Sequence, residues 1–166
     1  MLYTREAWAY AKQGRVSAFR RATSKAEDAL ADATPDQEPY WIGYFDHAEL
    51  AGVTGGRLLE LAHHQPQLAS ETAGHIQRAI QRRRPQRLRS AALDRIGLAE
   101  ARLIEGEVEE ATRLGLDAVD TAEQTPSDRV RVKLTEFYAH THAAADVSVV
   151  QELRGRLHDV LSARPA

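Results

Sequence analysis

Seven histidines are the first residues to test for chemistry. His63 and His64 are adjacent, which turns them about 100° apart on a helix and away from a shared metal ion. His140 and His142 are two apart and again fall on different faces. There is no His-Glu-x-x-His pattern and no three-histidine spacing, so these side chains read as surface or half-buried structural groups, and no metal is expected. Cysteine is absent, which removes disulfides, thiol catalysis and Cys-based metal sites together. Asp46, His47 and Glu49 have the composition of an acid–base cluster. However, Asp46 followed three residues later by Glu49 is also a helix N-cap with its capping box, and that accounts for both carboxylates. Gly55-Gly56 follows no strand and reads as helix interior or a kink rather than a phosphate loop. No catalytic residue and no cofactor is expected.

Two further groups bear on binding. Arg78, Arg82, Arg83, Arg84, Arg87 and Arg89 fall within twelve residues around Pro85. Their forked guanidinium groups suit phosphate, RNA or an acidic partner, while cations near a helix C-terminus also simply complement its dipole. From Glu100 to Asp128 nine acids stand against Arg102 and Arg113. A basic edge of one subunit meeting an acidic edge of another would favour self-association, weakened by salt. The second group is aromatic: Trp8, Tyr10, Tyr40, Trp41, Tyr44 and Phe45 concentrate near the N-terminus of a chain that is only 6% aromatic. Trp41 and Phe45 read as filling for an irregular join between repeats, and Trp8 as either packing or contact.

The elements that must position these groups are helices. Of 166 residues, 28 are alanine, 19 arginine and three lysine (Lys12, Lys25, Lys133), and none is asparagine. High alanine with few β-branched residues favours helix, and helical periodicity runs almost end to end without an alternating strand. The fold class expected is all-α: one domain over 1–166, with hairpins at about 2–33, 46–83, 87–124 and 127–163 and a linker at 34–45. Gly14 and Gly106 mark two turns, Pro66 a first-turn proline, and Pro85 a stop. Gly52, Gly55 and Gly56 should weaken the third helix. Net charge is −2, against binding nucleic acid over the whole surface. Mean hydropathy is −0.48, and no run approaches the roughly 20 apolar residues of a membrane span. The opening Met1-Leu2-Tyr3-Thr4-Arg5-Glu6 is unlike a secretory leader, so a cytoplasmic location is expected.

The hairpins recur at about 40 residues. Ala7, Tyr10, Gly14, Ala22 and Ala26 in the first, and Ala99, Gly106, Ala111 and Ala118 in the third, resemble the tetratricopeptide-repeat pattern of small residues, a pre-turn aromatic and a turn glycine. The second hairpin departs, with His64 at the turn, and the fourth lacks a turn glycine as capping repeats do. Residues 41–52 and 98–119 further resemble the C-terminal repeat regions of actinobacterial helix-turn-helix regulators. That resemblance implies an α-solenoid that acts as the sensor or interaction part of a transcriptional regulator. Its groove would take a protein, a peptide or a small molecule, with no direct DNA binding by this segment and no membrane. The first helices of the hairpins would line the groove, which nominates Trp8, Arg57, Leu93, Ile96, Glu100 and Leu103. The family's chaperone-type carboxylate clamp needs asparagine, which this chain lacks. The alternative is a free-standing scaffold that homodimerises through its terminal hairpins without a ligand.

Overall fold

A computed structural model of the protein describes residues 1–33 and 42–163. The predicted loop at 34–39, with Tyr40 and Trp41, lies outside the described residues. Among the described residues eight α-helices form: α1 (Leu2–Lys12), α2 (Val16–Ala31), α3 (His47–Ala62), α4 (Ala69–Arg82), α5 (Leu88–Glu105), α6 (Val108–Glu123), α7 (Asp128–His140) and α8 (Ser148–Ser162). No strand occurs among the described residues. None of their helices is long and apolar enough to cross a membrane. The fold is therefore an all-α arrangement of helical hairpins. The chain divides into two compact units, Met1–Arg83 and Arg84–Ala166.

In the first unit α1 pairs with α2 and α3 with α4, and α3 also packs on α1 and α2. The turn between α1 and α2 is set by Gly14, at φ +68°. There the Gly14 amide donates to the Ala11 carbonyl and the Arg15 amide to Tyr10, both at 2.9 Å. This is the paired bonding that closes a helix when its terminal residue is left-handed, where glycine carries no Cβ penalty. The α1–α2 seam is lined by Ala7, Ala11, Ala18, Ala22 and Ala26 around one large side chain, Phe19. Arg20 of α2 holds Glu71 of α4 through two hydrogen bonds, Nε to Oε1 at 3.1 Å and Nη2 to Oε2 at 2.5 Å.

The glycines of α3 do not break it. Gly55 is buried against α4, where a Cβ would lie 2.4 Å from Ile76 Cγ1. The glycine that costs helix propensity here permits a close helix crossing. A short 3₁₀ turn, Pro66–Leu68, leads into α4 with proline at a tolerated opening position.

In the second unit α5 and α6 form a close hairpin, with α7 against α5 and α8 against α6. Gly106, at φ +84°, repeats the Gly14 turn: its amide donates to Leu103 at 3.1 Å and that of Glu107 to Arg102 at 3.0 Å. Ala92, Ala99, Ala101, Ala111, Ala118 and Ala122 line the α5–α6 seam. By contrast α7 and α8 bury Val130, Leu134, Phe137, Val150, Leu153 and Leu157 and no alanine. These helices pack tightly against Gly115 of α6, on which a Cβ would sit 2.9 Å from both Phe137 and Leu153.

Two arginines then join α7 to α8. Arg154 Nη1 donates to the Tyr138 carbonyl at 2.9 Å and to Thr141 Oγ1 at 2.8 Å, and its guanidinium lies 4.2 Å from the centroid of the Tyr138 ring. Arg131 donates to the carbonyls of Val160, Leu161 and Ala163 at the C-terminal end of α8. Those carbonyls have no partner within their own helix, so a cation there satisfies both hydrogen bonding and the helix dipole.

Candidate functional site

The packing of α1 on α3 brings together two of the nominated groove residues, Trp8 and Arg57. The Arg57 guanidinium lies 5.0 Å from the centroid of the Trp8 ring, a cation–π contact. Arg57 Nη1 also meets Glu60 Oε1 at 2.5 Å, and Lys12 Nζ meets Glu60 Oε2 at 3.0 Å. The Glu60 carboxyl is pushed up by partial burial, but the hydrogen bond from Lys12 and the charge of Arg57 outweigh this and hold it below its ordinary range. Trp8 remains 37% exposed. Beneath the pair, between Thr4, Phe19, Leu50 and Arg57, the free space is only about 10 Å³. That is roughly one water molecule's worth, too little to enclose a small molecule between these four residues.

The other nominated residues lie on α5 in the second unit. Leu93 and Leu103 are half-buried, whereas Ile96 is fully buried and belongs to the core. Glu100 is 2% exposed, and its carboxylate pairs with Nδ1 of His140 on α7. The hydrogen bond to Glu100 raises the His140 pKa above its ordinary value against the opposing effect of burial, and the Glu100 and Glu136 charges add to the rise. Ile96 is thus a packing residue, and Glu100 is a buried carboxylate that pairs across to α7. The signal for this was present in the sequence, since Glu100 stands between Ala99 and Ala101 in an alanine-rich stretch.

The arginines of the 78–89 run have different surroundings. Arg83 is a structural residue: its side chain is 7% exposed, Nη1 meets Glu49 Oε2 at 2.6 Å, and Nη2 donates to the Ala48 carbonyl at 3.3 Å. It ties the end of α4 to the start of α3. Arg78 Nη2 lies 2.8 Å from His75 Nδ1. Burial first, then the Arg78 charge, lowers the His75 pKa. Arg82, Arg84 and Arg87 are exposed, and Arg89 borders a cavity in the second unit.

The cap at α3 forms in part as predicted, with Asp46 Oδ1 accepting from the Glu49 amide at 2.9 Å. The Glu49 carboxylate is turned to Arg83 instead of back to Asp46. Several acids of the 100–128 run are likewise engaged. Glu105 pairs with Arg102, Glu110 and Asp117 with Arg113, and Asp120 and Glu123 with Arg156. Phe45 is half-buried and makes an edge contact with Tyr44 at 6.4 Å between centroids. Comparison with family models, with curated proteins and with solved structures returned no match for this chain.

Proposed function

We propose that the protein is a non-catalytic helical-hairpin module that binds a protein or peptide segment, acting as the sensor or interaction part of a bacterial transcriptional regulator of tetratricopeptide-repeat type. The observation that carries the reading is the exposed Trp8 ring stacked by Arg57 and flanked by Lys12 and Glu60. Tryptophan and arginine are the residue types that most often dominate binding energy at protein interfaces. The ion pairs of Glu60 hold Arg57 in place before any partner arrives, which lowers the ordering cost of association. The small space beneath the pair favours a peptide or protein over a small molecule at this surface. A cytoplasmic location accompanies the reading.

The test is a peptide selection against the full chain with a Trp8→Ala variant as counter-target. Selected peptides should bind wild type at least about tenfold more tightly than the variant, the loss expected for an interface anchor. Equal affinity for the two proteins, with the variant's melting unchanged, would remove the surface from consideration. A second reading is a homodimerising scaffold, favoured by Leu2, which is 79% exposed on the same helix as Trp8. Leu2→Glu should then convert a dimer to a monomer in native mass spectrometry.

A further inference from the structure

The second unit contains a cavity of about 720 Å³ that the sequence did not announce. It opens where the C-terminal ends of α6 and α8 meet the N-terminal ends of α5 and α7. Its accessible apolar surface comes from Pro126, Val160 and Ala163, with Val130 and Leu134 buried behind them, and its rim carries Arg89, Asp128 and Asp159. The volume falls within the range of roughly 300–1,000 Å³ typical of small-ligand sites. Part of the wall is fixed in advance, because Arg131 is hydrogen-bonded to the carbonyls that end α8.

Charge decides what fits. Among the described residues the side chains of Arg89, Asp128 and Asp159 make no hydrogen bond or ion pair. Arg131 is committed to the α8 carbonyls and Glu123 to Arg156. The rim therefore offers one uncommitted cation and two uncommitted carboxylates above an apolar floor. A phosphate-bearing ligand would meet three acids, Glu123, Asp128 and Asp159. A simple cation would leave Arg89 unanswered and repelling it. A zwitterion with an apolar body answers every group: its ammonium to Asp128 and Asp159, its carboxylate to Arg89, its side chains to the floor.

We propose that this cavity is a binding site for a short apolar peptide with free termini. The site is independent of the Trp8 surface and of the reading built on it.

The experiment is a titration of the full ¹⁵N-labelled chain with trileucine, read by amide shifts. Saturable shifts confined to the residues lining the cavity, around Arg89 and within 122–134 and 159–163, with a dissociation constant of about 1 mM or tighter, are expected. Arg89→Gln and Asp159→Asn should each weaken binding about threefold to fivefold, as for exposed ion pairs. The N-acetylated, C-amidated peptide should bind about tenfold more weakly because it loses both charges. Absence of saturable shifts, shifts centred elsewhere, or equal binding of the blocked peptide would overturn the proposal. So would hexylamine binding as tightly as trileucine with no response to Arg89→Gln, which would mark a cation site only. All three rim side chains are at the surface. If Arg89→Gln nevertheless lowers the melting temperature, Asp128→Asn takes its place, with the same threefold to fivefold weakening expected.

Discussion

Gly55 and Gly56 are neighbours in α3 but meet different surroundings. A Cβ on Gly55 would strike Ile76 at 2.4 Å from Cγ1 and 3.1 Å from its backbone nitrogen, while one on Gly56 meets nothing within 4 Å. Gly55→Ala should therefore destabilise the first unit by about 1–3 kcal/mol through overpacking. Gly56→Ala should stabilise it by about 0.5–1 kcal/mol, because alanine is the better helix former at an open position. Urea midpoints of the two variants check the opposite signs. The sequence showed both glycines as weak points, because propensity is local and the partner Ile76 is not.

His140 supplies a pH dependence at the same scale. Its folded pKa is raised above an unfolded value of about 6.5. The stabilisation from its pair with Glu100 is thus complete below about pH 6.5 and is lost as pH rises through the raised value. His75, whose pKa is lowered, costs stability only as pH falls below about 6.5, so the window above that value isolates His140. The urea midpoint of the transition that includes the second unit should fall across that window, and His140→Gln should flatten the dependence. A midpoint that rises with pH would contradict the pairing.

Among the elements, the last two helices are held together differently from the other pairs. The α1–α2 and α5–α6 hairpins close through alanine seams and left-handed glycine turns. Both were legible in the sequence, because a turn glycine and small residues at helical spacing are local marks. The α7–α8 pair has no such mark, and its joining residues, Arg131 and Arg154, look in sequence like any surface arginine. Only the fold shows that each reaches carbonyls on the other side of the turn. Arg154→Ala should lower stability by about 1.5–3 kcal/mol, since hydrogen bonds from a charged donor and a ring contact go at once. Arg154→Lys should recover only part of this, because an ammonium cannot hold the forked geometry while stacking. Thermal melts of both variants measure the difference. The reach of Arg83 to Glu49 was hidden for the same reason, as 34 residues separate the partners.

At the scale of the molecule, each unit of 83 residues carries its own buried core. Such a length lies within the range in which single domains fold alone, though with modest margins. Residues 84–166 expressed separately should therefore show helical circular dichroism and one cooperative thermal transition, and a gradual loss of signal would count against autonomy. Half of the buried apolar residues described, 17 of 34, are alanines, all of them in the first three hairpins. An alanine loses no rotamer freedom on burial but withdraws little hydrocarbon from water. Unfolding such a chain hydrates less apolar area per residue, and that area sets both the heat-capacity increment and the denaturant slope. The stability curve of this protein should accordingly be flatter with temperature than that of a leucine-cored bundle of the same length, with cold denaturation displaced further below freezing.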